Sequence, residues 1–149
     1  MRAVVQRVLK GSVSVDGTVV SASGPGLVVL LAVKKGDAKP QADYMADKIL
    51  NLRIFEDEDG KMNRSLLETG GEILLVSQFT LYGDCRKGRR PGFDAAELPE
   101  AAQSLFNYTV GRIREHNITV NTGVFKAHMM VGLENDGPCT ILLDSERNF

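Results

Sequence analysis

Three short segments group polar and charged side chains in ways that could serve chemistry. Ser77-Gln78-Phe79-Thr80-Leu81 closes the apolar run Ile73-Leu74-Leu75-Val76, so two hydroxyls and an amide stand where a buried strand would continue with apolar residues. This reads either as an edge strand with alternating faces or as a polar cluster at the mouth of a pocket. Arg86-Lys87-Gly88-Arg89-Arg90-Pro91 sets four cations within five residues on a loop flanked by glycine and proline. A solvated charge run is one account. Phosphate contact is the sharper one, because guanidinium forks match phosphate oxygens and a flexible basic loop can track a nucleic-acid backbone. Asn135-Asp136-Gly137-Pro138-Cys139-Thr140 reads as a turn, and its Gly-Pro bond is a tertiary amide, for which the cis form is accessible.

Conventional catalytic equipment is thin. His116 and His128 are the two histidines, and neither belongs to an HxxxH or Cys/His cluster, so no metal site is expected. His116 falls at a helix end, and His128 falls in an expected strand, as a structural or exposed residue rather than a general base. GxSxG, Walker and GxGxxG patterns do not occur, and Gly83 to Gly88 lacks the arrangement of a phosphate loop. Ser77 and Thr80 are weak nucleophiles without an activating base, and none adjoins them in sequence. With 18 Lys+Arg against 19 Asp+Glu, the net charge of −1 gives no whole-protein field to attract nucleic acid, so such binding must come from a local patch. Cys85 and Cys139 form no CxxC pair and are expected as free thiols.

The elements that must position these segments follow from pattern. Ala3 to Leu9 is rich in β-branched residues, and Asp16-Gly17 between Val15 and Thr18 is a two-residue hairpin signal. Leu27 to Val33 predicts a strand buried on both faces, and Glu72 to Leu81 predicts a long strand. A helix near Pro40 places Ala42, Met45, Ala46, Ile49 and Leu50 on one face; a second near Pro99 does so with Ala102, Leu105, Phe106, Val110 and Ile113. Val124 to Leu133 and Cys139 to Leu143 read as two further strands. The expected fold is α+β, one domain over residues 1–149, with a mostly antiparallel sheet or barrel backed by two helices. The longest apolar run, Leu27 to Val33, is far short of a membrane span, and Arg7 and Lys10 interrupt any signal-peptide stretch. A soluble, cytoplasmic protein is expected, with no membrane or DNA partner.

Taken together, these segments resemble the D-aminoacyl-tRNA deacylases. The hallmark patterns SQxTL and NxGPxT match Ser77 to Leu81 and Asn135 to Thr140. The resemblance extends to Met1 to Val8, Gly24 to Leu27, the Arg86 to Pro91 loop, Thr122 to Phe125 and Leu143 to Ser145, so it covers effectively the whole chain. Departures are Lys126 where the family usually has glycine, His128 for a small or acidic residue, Cys139 for valine and Cys85 for threonine.

The resemblance implies hydrolysis of the ester between an amino acid and the 3′-terminal ribose of tRNA, without cofactor, by a homodimer. It implies that Gly137 and Pro138 reach into the partner's site, where their carbonyl oxygens fix the α-amino group and leave no room for an L side chain. Glycine, with no side chain, suits that close approach. Ser77, Gln78, Phe79 and Thr80 would form the catalytic segment. Water would be the nucleophile, the terminal 2′-hydroxyl would assist, and the Phe79 N–H would be the oxyanion donor. Thr80 as covalent nucleophile is the mechanistic alternative. Phe125 and Met129, taken as alternate strand positions, are either an apolar platform for the terminal adenine or core packing. Arg86, Lys87, Arg89 and Arg90 would meet tRNA phosphates. The alternative function is a non-catalytic tRNA-binding module; a general esterase would need a triad that is not there.

Overall fold

The computed structural model describes all residues 1–149. Its organising element is β1 (Arg2–Val15), which turns through Asp16-Gly17 into β2 (Thr18–Ser23). Asp16 and Gly17 adopt φ of 49° and 78°, the pair of positive values that a twist-matched two-residue hairpin demands. β3 (Gly26–Ala32) then pairs antiparallel with the first half of β1, Arg2 opposite Ala32. After α1 (Lys39–Asn51) come a small hairpin of β4 (Phe55–Glu56) and β5 (Met62–Arg64) and one turn of helix, α2 (Leu66–Thr69). β6 (Glu72–Ser77), a 3₁₀ turn (Phe79–Tyr82), α3 (Pro99–Arg114), β7 (Val120–Thr122) and β8 (Met130–Asp144) complete the chain.

The main sheet runs β2-β1-β3-β6-β7, with β8 along the other edge of β1. β1 pairs antiparallel with β2, β3 and β8, whereas β3–β6 and β6–β7 are parallel. The parallel pairs exist because α1 and α3 lie in the connections, which lets a strand return in the same direction.

β3 is buried on both faces, as its unbroken apolar sequence requires. Leu27, Val29 and Leu31 face a core completed by Met45, Ile49 and Leu50 of α1 and Phe106, Val110 and Ile113 of α3. On the opposite face Val28 joins Val8, Val13, Leu74 and Val76 in a smaller cluster, against which Met129 and Val131 pack. At roughly 1.5–3 kcal/mol per fully buried aliphatic or aromatic side chain, these two clusters outweigh any polar contribution to the fold. The expected faces of α1 and α3 are the faces buried, with Ala102 and Leu105 at the margin.

Three expectations are corrected. The strand from Glu72 stops at Ser77, because its ladder with β3 ends at Leu31–Ser77, and the chain then turns into the 3₁₀ segment. Val124 to Met129 is a turn rather than a strand: the Ala127 N–H bonds back to the Val124 carbonyl at 3.2 Å. His128 therefore lies outside any strand, and Phe125 and Met129 are not alternate strand positions. Finally, the two strands expected around Asn135 to Pro138 are one, β8, interrupted by a bulge. The short helix α2 is an addition to the two expected helices, and a capping box starts it. The Ser65 hydroxyl accepts from the Glu68 N–H, and the Glu68 carboxylate accepts from the Ser65 N–H at 2.6 Å.

Candidate active site

Where β6 ends, the Gln78 N–H bonds the Leu31 carbonyl at 2.9 Å, and the chain rolls into the 3₁₀ turn. Ser77, Gln78 and Phe79 are thereby delivered to the edge of a cavity of about 620 Å³, a volume within the range of small-molecule sites. Phe125 and Met129 line the same cavity. The turn at Val124–Ala127 brings these two there, and the Phe125 ring leans on the core ring of Phe106 with centroids 6.3 Å apart. Phe93 closes another side and meets the half-exposed Phe79 ring edge-on at 5.0 Å.

As the first residue of a helical turn, Phe79 has an N–H without an intrahelical partner. The Gln78 side-chain amide donates to the Thr80 hydroxyl. Thr80 itself is exposed and does not line the cavity. Neither the Ser77 nor the Thr80 hydroxyl has a carboxylate or imidazole partner, which leaves both unactivated.

The basic loop springs from the same wall. Asp84 and Gly92 exchange backbone hydrogen bonds at 2.8 and 3.0 Å, and the chain between them is exposed throughout. The Arg86 guanidinium grips the Asp84 carboxylate at 2.9 and 2.6 Å and holds its pKa down to about 2. Arg86 is thus partly spent within the loop, whereas Lys87, Arg89 and Arg90 carry no ion pair. Cys85 and Cys139 are both free thiols, the first exposed and the second buried.

Gly137 and Pro138 lie elsewhere. Between the pairs Gln6–Thr140 and Val8–Asn135 a single β1 residue, Arg7, stands opposite four β8 residues, Asp136 to Cys139. The excess forms a bulge that leaves Gly137 and Pro138 exposed, with the bond between them cis. Asn135 clamps the base of the bulge, accepting from the Cys139 N–H at 2.7 Å and donating to the Cys139 carbonyl at 3.0 Å. Beneath it the buried Arg7 guanidinium donates to the Asp136 carbonyl at 3.0 Å and the Ile54 carbonyl at 2.6 Å. A Cβ on Gly137 would come within 2.8 Å of the Cys139 nitrogen, so only glycine fits. Neither Gly137 nor Pro138 lines the cavity of its own chain.

The structure therefore brings Ser77, Gln78, Phe79, Phe125 and Met129 together, sets Thr80 just outside, and hangs Arg86 to Arg90 beside them. Sequence reasoning missed Arg7 and Phe93. A lone cation inside the apolar stretch Val4-Val5-Gln6-Arg7-Val8 was a usable signal for the first. No group of His, Cys, Asp or Glu is arranged to hold a metal ion, and no helix is long and apolar enough to cross a membrane.

Residues 4–144 match the family model described as D-Tyr-tRNA(Tyr) deacylase. A protein of Syntrophomonas wolfei subsp. wolfei named D-aminoacyl-tRNA deacylase is 62% identical over 149 residues, covering 100% of both chains. Among solved structures, one described as "c-Myc DNA Unwinding Element Binding Protein" superposes with a TM-score of 0.91 at 42% identity, over 97% of this chain and 98% of that one. Another, of a "probable eukaryotic D-amino acid tRNA deacylase", reaches a TM-score of 0.81 over 95% and 97% of the two chains; at 20% identity it speaks to the fold alone.

Proposed function

The chain belongs to the D-Tyr-tRNA(Tyr) deacylase family and is a hydrolase of that class, and from this premise we propose how its own residues act on D-aminoacyl-tRNA. The observation that carries the reading is the meeting of Ser77, Gln78 and Phe79 with the apolar pair Phe125 and Met129 around one cavity.

The terminal adenosine stacks in the apolar part, with its aminoacyl ester directed at the Ser77–Phe79 edge. Water attacks the ester carbonyl. The Phe79 N–H holds the developing oxyanion, a role that asks for a fixed donor rather than an acidic side chain. The C–O bond to the ribose breaks, the ribose oxygen takes a proton, and the free amino acid and tRNA leave. The neighbouring ribose hydroxyl assists the proton transfer. Ser77 and Gln78 polarise and shape the pocket, and Thr80 supports Gln78. The absence of a base beside Ser77 or Thr80 supports water over an acyl-enzyme.

Selection against L substrates rests on Gly137 and Pro138 of a second copy. The exposure of these residues, their distance from their own cavity and the rigid mounting by Arg7 and Asn135 all support a role in trans. Their carbonyl oxygens take the substrate's amino group and exclude an L side chain, and the protein works as a homodimer. Lys87, Arg89 and Arg90, with Arg86, hold phosphates of the tRNA.

A time course with D-alanyl-, glycyl- and L-alanyl-tRNA at equal enzyme tests the whole reading. Exclusion predicts cleavage of D-alanyl- and glycyl-tRNA and sparing of L-alanyl-tRNA, because glycine carries nothing to exclude. A methyl pocket alone would supply only about 10–200-fold discrimination. Cleavage of D-alanyl-tRNA with glycyl-tRNA left intact would mean that the site grips the D side chain directly. An active species of 16.2 kDa by light scattering would remove the trans arrangement.

A further inference from the structure

The turn Val124–Ala127 carries Phe125 and Lys126 at its two central positions. Lys126 has φ of +65°, while Phe125 does not have a positive φ. That is the pattern of a type II turn, whose third position ordinarily takes glycine because a Cβ is disfavoured there. This chain puts a lysine in a conformation that lysine adopts reluctantly, at a place where a smaller residue would serve the turn better. Backbone strain of this kind persists where the surrounding structure holds it, and it clusters at active sites and ligand clamps.

Where the side chain stands suggests what it is there for. Lys126 lines the cavity described above, as does His128 two residues on, and both are exposed. Neither makes a hydrogen bond or an ion pair, unlike Lys34, which is taken by Glu146 at 2.5 Å. The other charged lining residues are Lys35, Asp94 and Glu97. The Glu97 carboxylate accepts from the Leu98 and Gly36 N–H groups at 2.8 and 3.3 Å, so it is turned into its own backbone. On the Phe125 side, the rim is left with an unpaired ammonium and an imidazole.

We propose that Lys126, with His128 beside it, forms an anion subsite that takes the phosphodiester preceding the substrate's terminal nucleoside. This rests on the reading that the nucleoside occupies the adjoining cavity. A strand that places its last base against Phe125 must leave the cavity over this rim, and the first anionic group it presents is that phosphate. Lys126 acts as a specificity residue for a nucleotide chain over an isolated nucleoside ester. It is separate from the exposed loop of Arg86 to Arg90, none of whose residues lines the cavity.

Two substrates separate the possibilities: 3′-D-alanyl-adenosine, which has no phosphate, and the D-alanyl ester of a short oligonucleotide ending in the same adenosine. The variants are Lys126→Gly, Lys126→Met and Lys126→Arg. Gly and Met should raise KM for the oligonucleotide ester about three- to fivefold at low salt, leaving kcat in place, as expected for one exposed charge pairing. The slope of log(kcat/KM) against log salt should fall by about 0.7, the value for one phosphate on a single strand. Arg should retain both, and the adenosine ester should be cleaved equally well by all four proteins. Lys126→Gly should also hold or raise the thermal midpoint, since it gives the turn its preferred residue.

Equal losses on the two esters, no loss on either, or a lowered midpoint for Lys126→Gly would overturn the proposal and leave Lys126 a structural residue. Failure of the wild-type protein on both esters and on D-aminoacyl-tRNA would instead overturn the reading of the cavity, and this inference with it.

Discussion

Arg7 is the residue whose replacement should say most about how the Gly137–Pro138 bulge works. Its side chain is 7% exposed, and the guanidinium bridges two carbonyls, that of Asp136 in the bulge and that of Ile54 in the segment beneath. Hydrogen bonds from a charged donor contribute about 1.5–3 kcal/mol each. The carboxylates that share its charge, Glu56 and Asp136, have side chains 58% and 45% exposed, so they return to water and add little to the loss. The Asp136 carbonyl, on the same exposed bulge, also regains water. Arg7→Met should therefore cost about 3 kcal/mol rather than the full sum of two such bonds. For a chain of this size that is a fall of roughly 6–12 °C in thermal midpoint. Arg7→Lys keeps the charge but lacks the fork that reaches both carbonyls, so it should recover part of the stability and little of the positioning. The functional readout is the ratio of D-alanyl- to L-alanyl-tRNA cleavage, which should drop for both variants as the bulge carbonyls lose their fixed direction. A midpoint within about 2 °C of wild type for Arg7→Met would refute the energetic argument. A large fall in midpoint with the D/L ratio unchanged would refute the positioning role.

Thr80→Ala should keep deacylation within about tenfold of wild type, since it loses only the hydroxyl that supports Gln78; a collapse on the scale of 10⁴ with folding intact would revive the covalent mechanism. Arg89→Ala with Arg90→Ala should weaken tRNA binding and flatten its salt dependence by about one unit of slope for each phosphate no longer neutralised, measured by titration between low and physiological salt. An unchanged slope would return the loop to a solvated surface. The Asp144 carboxyl is buried, which alone would raise its pKa, but bonds from the Asn148 amide, the Glu146 N–H and Arg2 outweigh this and lower it below the usual 3.8. The unfolded chain then binds the proton more readily, so this stability is complete above 3.8 and is lost as pH falls through the lower folded value. Asp144→Asn should remove that acid-side slope in urea titrations; an unchanged slope would mean that the carboxyl is not a titrating part of the fold.

Much of the scaffold was legible because single, local rules decide it. Asp16-Gly17 needs two positive φ values and little else, and the spacing of Ala42, Met45, Ala46, Ile49 and Leu50 admits one helix face. The end of β6 was not legible, because Phe79, Leu81 and Tyr82 prolong the apolar pattern while what stops the strand is the end of its ladder with β3 at Leu31–Ser77. The unity of β8 was hidden for a similar reason. Asn135-Asp136-Gly137-Pro138 has every local mark of a chain reversal, and only pairing with β1 on both sides turns it into a bulge. Phe125 and Met129 do belong together, but a turn and not a pleat brings them to one cavity. Arg7 stands out in the sequence, yet its partners, the Ile54 and Asp136 carbonyls, lie 47 and 129 residues away.

The pairing of β1 with β8 also sets a timetable for synthesis. Arg2 waits for Asp144 and Ser14 for Met130, so one edge of a 14-residue strand stays open until almost the whole chain exists. At about 5–20 residues per second, more than a hundred residues of delay leaves that edge bare for something like ten seconds on the ribosome. An open apolar edge of that length invites pairing with neighbouring nascent chains, and charged side chains are the usual protection. Arg2, Arg7 and Lys10 are spaced along it. The cation that later holds the bulge in place would thus first serve to keep the unfinished strand from joining the wrong sheet.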